Sequence, residues 1–186
     1  MSIEFQRDNY ISVRLAQDFS SISLVSNSMS LTIDGIRMLS ILTVVNMLFI
    51  VLFTPLISKN FKKYTEKKMY IGFLLFTIGY AVCSFSNNII ILLVATAIFS
   101  IGELIYVPMR QTILSEMIDE NKRGSYMAFN SLIIQAGKFV ASGCLLVSPY
   151  FNKYMMGSIV LIFGLISILF TLLAIRRKQG ADINAM

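Results

Sequence analysis

Apolar residues in this chain are gathered into five long blocks separated by short polar turns. The blocks run from about 36 to 57, 69 to 85, 89 to 117, 125 to 148 and 154 to 175. Each is close to, or above, the roughly 20 residues that a helix needs to cross a bilayer core about 30 Å thick. Apolarity is near-continuous within them rather than confined to one face, which predicts membrane spans. The head of the chain differs. Residues 1–19 interleave Glu4, Arg7, Asp8, Arg14 and Asp18 with Ile3, Tyr10, Ile11, Val13 and Leu15. That pattern predicts a partial helix too polar to cross alone, and it lacks the apolar core of a signal peptide. The Ser-rich residues 20–34 read as a loop or a frayed helix end. The expected organisation is a partial helix and external loop over 1–34, a five-span bundle over 35–178 and a tail over 179–186. The expected fold class is an all-α integral membrane protein.

Composition agrees with this pattern. The 186 residues are 56% hydrophobic and 14% charged, with a mean hydropathy of +0.73. A soluble domain of this length needs far more polar surface. The net charge of +6 does not point to nucleic acid, because the basic residues sit in turns between apolar blocks. Lys59, Lys62, Lys63, Lys67 and Lys68 follow the first block, Lys122 and Arg123 the third, and Arg176, Arg177 and Lys178 the fifth. The intervening turns carry only Lys153. The positive-inside rule therefore predicts a multi-pass protein of the cell membrane with its C-terminus in the cytoplasm. There is no His, and Cys83 and Cys144 both lie in apolar sequence. Neither a metal site nor a cofactor is expected, and both thiols read as packing residues. No phosphate-cradling Gly loop or activated nucleophile is visible, which argues against an enzyme.

Within the blocks, polar residues fall on stripes. Thr96, Ser100, Glu103 and Arg110 share one face of the third block, and Ser131, Gln135, Lys138 and Ser142 share one face of the fourth. The first block has a weaker version in Ser40, Thr43 and Asn46. Lipid penalises such stripes, so these three blocks are expected to border a wet cavity. The second and fifth carry no charge in their apolar runs, hold Gly72, Gly79, Gly157 and Gly164, and read as outer scaffold.

The candidate chemistry centres on Glu103. A carboxylate at mid-helix costs roughly 2.5–3.5 kcal/mol to insert, so intramembrane charges mark functional sites by default. At about 1.5 Å per residue, Glu103 and Lys138 differ in depth by only about 6 Å. They form a candidate pair, read either as purely structural or as handling substrate or protons. Single Ser and Thr residues have a plainer role, bonding back to their own helix. Arg110, nearer the basic end, reads as an interfacial anchor or a gate charge. Arg123 sits in a turn that is either simply solvated or bonded to the carbonyls of a neighbouring helix end.

Three stretches carry a family resemblance. Gly102-Glu103, Pro108 and Arg123-Gly124-Ser125-Tyr126-Met127 follow one another across the third turn. Pro55-Leu56-Ile57-Ser58-Lys59-Asn60-Phe61-Lys62-Lys63 is similar to a basic loop motif without its leading Gly and its Asp. Glu4-Phe5-Gln6-Arg7-Asp8-Asn9-Tyr10 resembles the outer end of a cavity-lining helix. In this order the chain resembles the C-terminal half of a major facilitator superfamily transporter, most closely the drug/proton antiporter branch. The resemblance implies two six-helix bundles with substrate bound between them. The five blocks would be helices eight to twelve, residues 1–19 the end of helix seven, and the N-terminal six helices absent. It implies proton coupling at Glu103 and Lys138, a substrate path along Glu4, Asp8, Tyr10, Asn46 and Gln135, and cytoplasmic gating by Arg110 and Arg123. The implied partners are the lipid bilayer, a small-molecule substrate and a second six-helix half. The expected function is proton-coupled efflux of small amphipathic compounds. The alternative is a non-transporting fragment that binds other helix bundles.

Overall fold

The structure, a computed structural model, describes residues 4–5, 7–19, 22–26, 29–60, 66–117 and 123–184. A π-helical turn at Arg7–Ile11 leads into α1 (Ser12–Asp18), then strands β1 (Ile22–Ser26) and β2 (Met29–Ile33). The long helices are α2 (Gly35–Asn60), α3 (Glu66–Phe85), α4 (Ile89–Met117), α5 (Arg123–Val147) and α6 (Lys153–Asn184). All five are long and apolar enough to cross a membrane.

Local chemistry explains where these helices start. Asp34 Oδ1 accepts the Arg37 N–H at 2.8 Å, and Asn88 Oδ1 accepts the Ile90 N–H at 2.9 Å. Both side chains cap helix N-termini whose first amides have no partner within the helix. Pro55 and Pro108 lie inside α2 and α4, where membrane helices tolerate the lost amide because nearby hydroxyls and neighbouring helices compensate.

Residues 20–34 differ from expectation. β1 and β2 pair antiparallel in the register Ile22↔Ile33 to Ser26↔Met29. Ile22, Leu24, Leu31 and Ile33 alternate with polar neighbours, so the pattern has the period of a strand, which the abundance of serine had obscured.

The bundle is organised on α3 and α4, which share the most extensive contact in the chain. A Cβ added at Gly79 would stand 2.6 Å from Phe99 Cβ and 2.8 Å from the Ala95 carbonyl oxygen. At Gly102 it would stand 2.6 Å from the Gly72 carbonyl oxygen. The backbones approach this closely only because no side chain intervenes. Beside the glycines runs an aromatic seam, with Tyr80–Phe99 ring centroids 4.6 Å apart and Phe73–Tyr106 centroids 4.8 Å apart. Both pairs are tilted, the arrangement that ring quadrupoles favour. α6 covers another side of α3, burying Met156 and Val160, and α2 packs on α4.

One expectation is corrected here. The second apolar block is not outer scaffold in this bundle: α3 has 56% of its apolar window buried, against 11% for α2 and 17% for α5. The glycines that suggested close packing put α3 at the centre, between α4 and α6.

The N-terminal segment is held by a buried arginine. Arg14 is 4% exposed. Its Nη2 donates to the carbonyls of Ser86 at 2.7 Å and Cys83 at 3.1 Å, and its Nη1 donates to Asn87 Oδ1 at 2.9 Å. Asn87 Nδ2 in turn donates to the Asp18 carbonyl at 3.2 Å. The guanidinium thus closes the C-terminal end of α3, where carbonyls lack helical partners and the helix dipole favours a cation. Tyr10, Ile11, Leu15 and Phe19 of the same segment enter the core.

Three substitutions test this packing. Gly79→Ala should lower the thermal midpoint of the detergent-solubilised chain, since overpacking costs about 1–3 kcal/mol. Gly143→Ala, whose Cβ would meet nothing within 4 Å, should be neutral or gain up to about 1 kcal/mol in helix propensity. Arg14→Met should open the corner above Cys83, which is buried at 2% exposure, and a water-soluble maleimide should then label that thiol faster. Unchanged labelling would show that the clamp does not hold this corner closed.

Candidate functional site

α4 supplies most of the polar groups inside the bundle, and they divide by surroundings. Thr96 and Ser100 are fully buried. Thr96 Oγ1 donates to the Leu92 carbonyl at 2.8 Å. Ser100 Oγ lies 2.7 Å from the Thr96 carbonyl and 2.6 Å from Asn46 Oδ1, so its one proton serves either acceptor. Asn46, on α2, is 2% exposed, and this bond joins α2 to α4 across the apolar interface. Ser40 and Thr43 bond back to the Ile36 and Leu39 carbonyls, and Ser131 to Met127. The upper part of the α4 stripe is therefore internal bonding, as membrane hydroxyls commonly provide.

Glu103 has different surroundings. Gly102 turns its bare face to α3, and the next side chain, about 100° further around the helix, enters a cavity of about 350 Å³ between α2 and α4. Ile50, Thr54, Ile57, Pro108 and Thr112 line it with Glu103, the one charged residue among its described lining residues.

One turn along α4 from Glu103, Tyr106 is buried, at 6% exposure. The Arg110 guanidinium carbon stands 5.6 Å from the centre of the Tyr106 ring. Arg110 thus stands over a ring that sequence reasoning missed. The signal was present, since Tyr106 falls three residues after Glu103 and four before Arg110, on the same face.

The other predicted residues are placed as follows. Lys138 Nζ lies 5.3 Å from the ring centre of Phe5, on the N-terminal segment, whereas Glu103 faces α2. Gln135 is exposed on α5, and Tyr10 is buried in the core. Asp8 lies in the π-helical turn and Arg123 opens α5, but their side chains lie outside what the structure describes. The helix-end bonding considered for Arg123 is made at the α3 terminus by Arg14, a second residue sequence reasoning missed. Its spacing was informative: Ile11, Arg14, Leu15 and Asp18 share one helix face, and the first three are buried. Among the described residues no group of His, Cys, Asp or Glu is arranged to hold a metal ion, and Cys83 and Cys144 are free and buried.

Comparison with known proteins places this geometry. Residues 10–184 match the family model of the Major Facilitator Superfamily. An uncharacterised MFS-type transporter, YttB of Bacillus subtilis (strain 168), is 30% identical over 177 residues, covering 92% of this chain and 44% of that protein. A Na(+), Li(+), K(+)/H(+) antiporter of Planococcus maritimus is 29% identical over 122 residues, covering 65% of this chain and 29% of that protein. The multidrug resistance protein MdtH of Aeromonas salmonicida (strain A449) is 32% identical over 80 residues, covering 43% of this chain and 20% of that protein. The crystal structure of a POT family transporter in complex with 5-aminolevulinic acid superposes with a TM-score of 0.64 at 17% identity, over 91% of this chain and 37% of that one. This likeness concerns the fold. The chain spans less than half the length of the curated relatives it matches. Its kinship is with transporters, not enzymes, and the chain belongs to the Major Facilitator Superfamily.

Proposed function

We propose that this chain acts in transmembrane transport as one helix bundle of a two-bundle secondary transporter, exporting small amphipathic compounds in exchange for protons. The observation that carries this reading is Glu103, the one charged group among the described residues lining the α2–α4 cavity. In surroundings of this kind a carboxylate binds a proton or an organic cation, and each displaces the other because two positive charges beside one carboxylate are not both compensated. The walls are apolar, which suits an organic compound better than a bare alkali cation needing several oxygen ligands. Glu4 is a further candidate for the substrate path. Lys138 is the second proton-coupling candidate, Asp8, Tyr10, Asn46 and Gln135 complete the proposed path, and Arg110 and Arg123 form its cytoplasmic gate.

Three further observations support the reading. The multidrug and antiporter relatives come from the same superfamily. α2 and α5 carry the least burial of the five long helices, as expected of faces that meet a second bundle. The basic turns favour a cell-membrane protein with its C-terminus in the cytoplasm. A second reading, an interaction partner that does not itself transport, rests on the same uncovered faces and on the chain's share of its relatives' length.

The test is substitution at Glu103 in the chain assembled with the six-helix half of a relative. Glu103→Gln should abolish export driven by a proton gradient, and Glu103→Asp should keep part of it. Undiminished proton-driven export by Glu103→Gln would remove the carboxylate from the mechanism.

A further inference from the structure

A second cavity, of about 400 Å³, lies among α3, α4, α5 and α6, away from Glu103. Its lining is sorted by depth. Tyr70 lies in the first turn of the apolar window of α3, which begins at Lys68. Arg110 lies in the last turn of the α4 window, which ends at Ile113, and Thr171 in the last turn of the α6 window, which ends at Leu173. Because α3 runs opposite to α4 and α6, these three polar residues sit at one membrane face. The lining that α5 supplies, from Ile133 to Val140, falls near the middle of its window, which runs from Gly124 to Tyr150. Tyr106 and Ser167 lie about one turn deeper, so the cavity has a polar mouth at interfacial depth and, beyond these two, an apolar interior reaching toward the bilayer centre. Arg110 is its one charged residue among the described lining residues. The Arg110 guanidinium carbon stands 5.6 Å from the centre of the neutral Tyr106 ring, and the carboxylate of Glu103 lines the other cavity.

We propose that this cavity is a binding site for an anionic phospholipid of the leaflet at the Lys68–Arg110 end, the phosphate on Arg110 and one acyl chain between Phe73, Ile133 and Val140. A basic residue at the mouth of a pocket between membrane helices attracts anionic headgroups, and a guanidinium matches phosphate geometry. The apolar interior selects the lipid over free phosphate, which would gain nothing from those walls. The site is separate from the α2–α4 cavity, so the inference stands whether or not Glu103 couples protons.

The experiment reconstitutes the full chain in vesicles of phosphatidylcholine containing a minor share of phosphatidylglycerol, extracts it gently and counts retained lipids by native mass spectrometry. Phosphatidylglycerol should be retained several-fold beyond its share of the bilayer. Arg110→Gln should return retention to that share. Val140→Trp, which fills the apolar end and leaves Arg110 in place, should also lower it. Inorganic phosphate should not raise the thermal midpoint of the detergent-solubilised chain. Enrichment that persists in both variants would overturn the proposal, as would enrichment of neither lipid in the unsubstituted chain. Equal protection by inorganic phosphate alone would also overturn it, by showing a site for a free anion.

Discussion

The contact on which this bundle depends is the backbone-to-backbone approach of α3 and α4 at Gly72, Gly79 and Gly102. Lipid tails are as apolar as leucine, so helices in a bilayer gain little from apolar burial and associate mainly by close packing and polar bonds. Glycine removes the spacer, and the aromatic seam from Phe73 to Tyr106 fills the flanks. Once α4 is seated, its Asn46–Ser100 bond holds α2, while Gly157 and Gly164 let α6 close on α3. The same seating gives α4 its two functional faces, because Gly102 against α3 leaves Glu103 directed at α2.

Polar groups inside the bundle are then separable by whether local bonding accounts for them. The hydroxyls of Thr77, Ser84, Thr96 and Ser100 bond to carbonyls one turn back in their own helices. Arg14 has three acceptors at the α3 corner, and removing it would strand buried carbonyls in a region with little water. Glu103 and Arg110 are different in that each faces a cavity large enough for a ligand. One is a carboxylate in an apolar chamber, and the other a cation at a polar mouth.

Much of this was readable from the chain because membrane insertion leaves a coarse signal. Five blocks of near-continuous apolarity need no tertiary information to be recognised. The stripe on α4 was legible in its spacing but not in its division. Periodicity places Thr96 and Glu103 on one face without revealing that the neighbour at the height of Ser100 is Asn46, whereas Glu103 lines the α2–α4 cavity. The glycines of α3 signalled close packing but not the number of helices packed, and so α3 was expected at the edge when it lies at the centre. The hairpin was hidden by its serines, and Arg14 by a segment that composition alone marks as polar.

As proposed above, this bundle transports only when a second bundle covers α2 and α5. The direct measurement compares vesicles bearing this chain alone with vesicles bearing it together with the six-helix half of a relative, following accumulation of a fluorescent amphipathic cation after a proton gradient is imposed. The chain alone should give no accumulation and the pair should accumulate the cation. Accumulation by the chain alone, or none by a pair shown to associate, would contradict the proposal.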